Sequence, residues 1–136
     1  MIQPNELRLK NIVKNPRYFK EWGQHLYQTV ECICGKDIGT NKEDWDADFL
    51  EPVELTPDIL EAAGFGVRDN GTSKDYHIGE NEITHDWLFY LVWLNGFQYP
   101  FYRNGRHEIK YLHQLQNLYY CLTGDELQID ITKLNK

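Results

Sequence analysis

Two Asn-Gly pairs, Asn95-Gly96 and Asn104-Gly105, bracket the stretch FQYPFYR and restrict this chain's fold more than any other feature. Both central residues of a type I′ turn need positive φ, which Asn and Gly reach at least cost. Flanking runs of aromatic and β-branched residues are the strands such turns join. WLFYLVWL, residues 87–94, precedes the first pair, and a third run starts at Arg106. The expected product is an antiparallel β-meander over residues 87–110. With two-residue loops, Leu94 pairs with Phe97, Val92 with Tyr99 and Tyr90 with Phe101; beyond the second turn, Tyr102 pairs with His107 and Pro100 with Ile109. One face then carries Trp87, Phe89, Leu91, Trp93, Pro100, Tyr102, Ile109 and Tyr111. The other carries Leu88, Tyr90, Val92, Leu94, Phe97, Tyr99 and Phe101. Pro100 cannot donate to a ladder and marks a bulge or an unpaired position.

A sheet apolar on both faces needs two covers. The C-terminal stretch IKYLHQLQNLYYCLTGDEL, residues 109–127, offers one. Leu112, Leu115, Leu118, Tyr119 and Leu122 recur at helical spacing, and Gly124 stands where a helix stops. This helix is expected on the Trp87/Phe89/Leu91/Trp93 face, with His113, Gln114, Gln116 and Asn117 turned away. The second face is left to the N-terminal strands or to another molecule, which makes Tyr90, Val92, Phe97, Tyr99 and Phe101 a candidate interaction surface.

Upstream, residues 7–13 read as a short strand ended by Asn15-Pro16. Residues 26–34 alternate, placing Leu26, Gln28, Val30, Cys32 and Cys34 on a core face. Pro52 to Gly64 carries complete helix punctuation: Thr56 as N-cap, Pro57 at N1, Asp58 in the first turn and Gly64 at the end. Ile59, Leu60 and Ala63 are expected inside. Asp69 to Lys74 is a turn or loop, and residues 75–79 a short strand. The expected fold is α+β over residues 1–136 as a single domain: an antiparallel β-meander packed by a C-terminal helix, N-terminal strands and one short middle helix.

Composition narrows the function. A net charge of -7 argues against a surface devoted wholly to nucleic acid or anionic membrane. The longest apolar run, residues 87–94, is far short of the ~20 residues of a membrane helix. MIQPNELRLK lacks the apolar core of a signal peptide. With three cysteines, this suggests reduced thiols in a cytoplasm. Charge is uneven: residues 1–20 hold five bases against Glu6 alone, and residues 31–61 hold ten acids against Lys36 and Lys42.

Three segments, NELRLKN at 5–11, PVELTPDILEAAGF at 52–65 and YLHQLQNLYYCLTGDEL at 111–127, resemble a family of small uncharacterised proteins of Bacteroidetes genomes and their phages and prophages. The resemblance implies a bacterial or phage context and brings no activity with it. The family's first segment reads R-x-G-N. Lys10 stands at its glycine, so a tight turn made there by glycine must be made differently here.

Candidate chemistry is sparse. Cys32-x-Cys34 with Cys121 lacks the paired C-x2–4-C spacing of structural zinc, and alternation buries both strand cysteines. Asp44-x-Asp46-x-Asp48 imitates a calcium loop, but Phe49 replaces the required Gly and Leu55 the required Glu. Ser73 has no nucleophile-elbow context, and Gly64-Phe65-Gly66 follows a helix instead of opening one. His85, Asp86, His107 and His113 would have to converge to make a metal-dependent enzyme. The segment 14–22 interleaves Lys14, Arg17 and Lys20 with Tyr18, Phe19 and Trp22, so phosphates and stacked bases are one candidate ligand. A hydrophobic edge with snorkelling lysines is the simpler account. The sequence therefore favours a non-enzymatic binding or assembly module with a protein partner or self-association, without cofactor or metal; a nucleic-acid-associated protein is the alternative.

Overall fold

The computed structural model describes residues 6–80, 87–102 and 107–135, without the side chains of 79, 80, 87, 88 and 107. The class is α+β, built from two antiparallel sheets and short helices. The chain gathers into two compact units. One joins the chain's two ends, residues up to Glu54 with those from Tyr111 on; the other is Leu55–Lys110.

The first unit holds a four-stranded sheet in the order β1 (Ile12–Lys14), β2 (Tyr27–Cys34), β3 (Asp37–Thr40) and β4 (Asp44–Asp46). Its core gathers Leu7, Val13, Val30, Ile38, Ala47 and Leu50, with Ile33 and Trp45 packed alongside. Gln28 is fully buried among them and satisfied: its Oε1 accepts from the Thr40 hydroxyl (2.7 Å), and its Nε2 donates to the His25 carbonyl (3.0 Å).

Strict alternation along β2 would also bury Cys32 and Cys34. A register shift between Val30 and Cys32 overturns that expectation. Val30 pairs with Thr40 and Cys32 with Gly39, so two steps on β2 answer one step on β3. The extra residue exchanges the faces. Beyond it Ile33, opposite Ile38, joins the core, and both cysteines are exposed.

Between β1 and β2 lies α1 (Pro16–Trp22). The Asn15 side chain accepts from the Tyr18 amide at its start, and Gly23 closes it at φ +70°. The first unit ends with α3 (Leu112–Thr123) and α4 (Ile131–Leu134), while α2 (Pro57–Ala62) belongs to the second.

The C-terminal helix is the main departure from sequence expectation. It belongs with the N-terminal sheet, and its buried side is Leu112, His113, Leu115, Gln116 and Tyr119. Leu122, expected inside, is 54% exposed. The helix is turned this way because Gln116, 2% exposed, completes the backbone beside β1: its Oε1 accepts from the Ile12 amide (2.9 Å) and its Nε2 donates to the Lys10 carbonyl (3.1 Å). A fully paired amide can be buried at little cost.

The tight turn before β1 is made by Lys10 itself, at φ +78°, with the Asn11 amide donating to the Arg8 carbonyl. Lysine thus adopts a conformation that glycine reaches without strain, at a cost of roughly 1–2 kcal/mol.

The second unit is a five-stranded sheet in sequence order: β5 (Gly66–Asp69), β6 (Ser73–Glu80), β7 (Trp87–Leu94), β8 (Phe101–Tyr102) and β9 (His107–Glu108). The expected turn and the strand after it are present, as residues 70–72 and β6; the partner strand β5 is additional, GVRD being too short and polar to announce itself. Tyr102 pairs with His107 as expected. Between β7 and β8 the register is two residues longer than expected, with Val92 opposite Phe101. A shift of two preserves the faces. Phe89 and Leu91 are buried on the inner face, where Phe89 meets Tyr102 (5.1 Å) and Phe65 (6.2 Å). Pro100 does stand outside the strands, its carbonyl accepting from Ile109. The helix α2 follows its punctuation: the Thr56 hydroxyl accepts from the Ile59 amide (3.2 Å), and Ile59 and Leu60 are buried. Asn104-Gly105 lies outside the described residues.

Candidate functional site

Two surfaces were candidates from sequence, and the structure treats them differently. On the outer face of the second unit's sheet, Tyr90, Val92, Tyr99 and Phe101 are half-buried and only Phe97 is 52% exposed. That face is not continuously apolar. One cross-strand row runs Arg68, Asp75, Val92, Phe101, Glu108. Asp75 is buried there because the Arg68 guanidinium (3.0 Å) and the Asn70 amide (2.7 Å) both donate to its Oδ2.

The segment 14–22 is different. Its last seven residues are α1, which buries none of its side chains. At 100° per residue, Tyr18, Trp22 and Phe19 fall within about 100° of helix arc, while Arg17, Glu21 and Lys20 occupy the opposite side. The alternation of basic and aromatic letters therefore becomes a separation in space. Trp22 is 60% and Phe19 45% exposed. Tyr18 anchors the arc between Trp22 (6.1 Å between rings) and His25 (6.5 Å). On the other side Arg17 lies 4.6 Å over the Phe49 ring, and Phe49 meets Trp45 edge-on.

The histidines do not assemble. His85 and Asp86 lie outside the described residues, as does the His107 side chain. His113 is 1% exposed and stacked on Tyr111. Neither ring nitrogen has a hydrogen-bond partner; the Glu6 carboxylate is 3.7 Å from Nε2. Burial holds the His113 pKa below its ordinary value, and Glu6 opposes that only in part. Among the described residues no trio of His, Cys, Asp or Glu is arranged around a cation position.

The polar residues of α3 that sequence left without a role prove structural. Asn117 Oδ1 accepts from Arg8 Nε (3.1 Å) and Asn11 Nδ2 (2.9 Å), while its Nδ2 donates to the Glu6 carbonyl (3.1 Å). The Arg8 guanidinium forks onto Glu126 and sits 4.3 Å over the Tyr120 ring. No spacing rule could have found these bonds, because their partners lie more than 100 residues apart.

No family model, curated protein or solved structure matches this chain. Among the described residues no helix is long and apolar enough to cross a membrane.

Proposed function

We propose that this protein is a non-enzymatic assembly module of bacterial or prophage origin, acting in the cytoplasm, and that it self-associates through the aromatic arc of α1. One observation carries the reading: a helix with a proper N-cap and a glycine stop holds three aromatic residues, Tyr18 half-buried and Phe19 and Trp22 exposed. A helix normally persists because packing stabilises one face; here the apolar arc is left for a contact outside the fold. A second copy suits it because a two-fold axis sets the same arc against itself, exposed Phe19 and Trp22 of one chain against those of the other. Three aromatic residues bury less than the ~800 Å² per partner of a standard interface, so the association is concentration-dependent. The resemblance of three segments to phage and prophage proteins supports the origin, and three free cysteines suit a reducing compartment.

Light scattering over a concentration series tests the reading. The mass of the wild type rises with concentration, and Phe19→Ala/Trp22→Ala holds at the monomer; a wild type monomeric throughout would refute self-association. A second reading keeps Lys14, Arg17 and Lys20 as phosphate contacts with Tyr18, Phe19 and Trp22 as stacking platforms. The exposure of Arg17 and Lys20 favours it; their position opposite the rings counts against it. It requires single-strand binding that falls steeply with salt and disappears in Arg17→Ala/Phe19→Ala.

A further inference from the structure

Free cysteine is among the most consistently buried residue types, yet Cys32 and Cys34 are both exposed on one strand. The irregularity between Val30 and Cys32 exposes them, and bulges of this kind characteristically re-aim side chains beside functional sites. From Cys32 on, β2 pairs regularly: Cys32 opposite Gly39, Ile33 opposite Ile38, Cys34 opposite Asp37. Across β3, Gly39 pairs with Asp44 and Asp37 with Asp46. The outward face is thus two adjacent rows, Cys32–Gly39–Asp44 and Cys34–Asp37–Asp46. Glycine at 39 leaves room between its neighbours. A Cβ there would stand 3.1 Å from Cys32 Cβ and 2.9 Å from Asp44 Oδ1, so it is the absence of a side chain at 39 that lets the Cys32 side chain and the Asp44 carboxylate close over β3 from either side.

Strand geometry decides what the thiols can do. Residues two apart on a strand have parallel Cα–Cβ bonds about 6.6 Å apart. A disulfide needs Cβ atoms within about 3.5–4.5 Å, so Cys32 and Cys34 cannot close one without distorting β2. An ion held between the two sulfurs, with bonds of about 2.3 Å each, fits that spacing without distortion. The pair stands without a third ligand among the described residues, which suits a linear two-thiolate ion and not the four ligands of structural zinc.

We propose that Cys32 and Cys34 form a two-coordinate site for a soft monovalent cation, cuprous copper. Two thiolates are the ligands such an ion prefers. Each thiol gives up its proton as a copper–sulfur bond forms, so one ion displaces two protons and no electron moves; binding therefore strengthens with pH. Asp37 and Asp44 on the same face draw a cation towards the pair.

The test is an anaerobic titration of the reduced full-length protein with cuprous ion against a chromophoric copper chelator. The wild type and Cys121→Ser are expected to hold one equivalent against the chelator, whereas Cys32→Ser and Cys34→Ser each lose it. All three cysteines are exposed, so these variants keep their fold, which circular dichroism verifies. X-ray absorption at the copper edge is expected to show two sulfur neighbours. Retention of copper by either single strand variant, equal loss in Cys121→Ser, or three or more neighbours around the ion would overturn the proposal. So would equally tight uptake of zinc through the same cysteines.

Discussion

The helices α1 and α3 invert the usual distribution of side chains in opposite senses. In α3, His113 and Gln116 are inside while Leu122 is out; in α1, Phe19 and Trp22 are out and nothing is in. The two inversions have different causes. Gln116 and Asn117 are drawn inward because residues 6–12 offer backbone groups and side chains that only a fixed amide can satisfy. The rings of α1 have no such compensation within the first unit. Their exposure costs the fold little. For Phe19 and Trp22 it leaves, to be gained from a partner, about half of the roughly 1.5–3 kcal/mol that full burial of a large apolar side chain contributes. Polar residues are therefore structural in one helix, and apolar residues are left at the surface in the other.

That contrast can be broken or sharpened by substitution. The largest effect is expected at Gln116→Leu, which leaves the Ile12 amide buried and unpaired and removes the donor from the part-buried bond to the Lys10 carbonyl. The loss should be about 2–4 kcal/mol, read by urea unfolding; a loss below 0.5 kcal/mol would remove the structural role assigned to the polar side of α3. His113 gives a smaller effect that depends on pH. Its folded pKa lies below the unfolded value of about 6.5, so the unfolded chain binds more protons. Stability should be fully present above about pH 6.5 and decline as pH falls through the folded pKa. In His113→Phe this component of the decline should vanish, which unfolding midpoints at several pH values will show.

Lys10→Gly sharpens the account of the first turn. Relief of the φ +78° conformation outweighs the extra entropy of glycine in the unfolded chain, for a net gain of about 0.5–1 kcal/mol in the same assay. The smallest change is expected at α1. Phe19→Ala/Trp22→Ala should leave the stability of the single chain within about 0.5 kcal/mol of wild type, because exposed rings contribute little to it.

What was legible in the sequence follows the range of the interactions. The helix α2 and the faces of the meander were readable because cap and alternation signals act over a few residues; Thr56-Pro57 and the partition of Phe89 and Leu91 from Tyr90 and Val92 stood as expected. Asn95-Gly96, by contrast, does not make the type I′ turn of a two-residue hairpin, since Asn95 lacks positive φ and pairing resumes only at Phe101. In the first unit the strand β2 and the helix α3, with its Gly124 stop, stood as expected, but their assembly did not. The unit's closure depends on bonds such as Gln116 to Ile12, 104 residues apart, which leave no periodic trace. The bulge in β2 was invisible for a related reason. Alternation assumes an unbroken period of two, and one extra residue reverses every side chain beyond it. For the candidate surface, the residues of segment 14–22 were identifiable, but the separation of rings from charges appears only once the segment is wound into a helix.

The most direct measurement is sedimentation equilibrium of the wild type beside Phe19→Ala/Trp22→Ala, with urea unfolding of both at a concentration where each is monomeric. The expected result is a wild-type mass rising from one chain towards two, a variant mass fixed at one chain, and matching unfolding midpoints. Equal masses at every concentration, or a variant several kcal/mol less stable than wild type, would contradict the claim that the rings of α1 serve contact and not the fold.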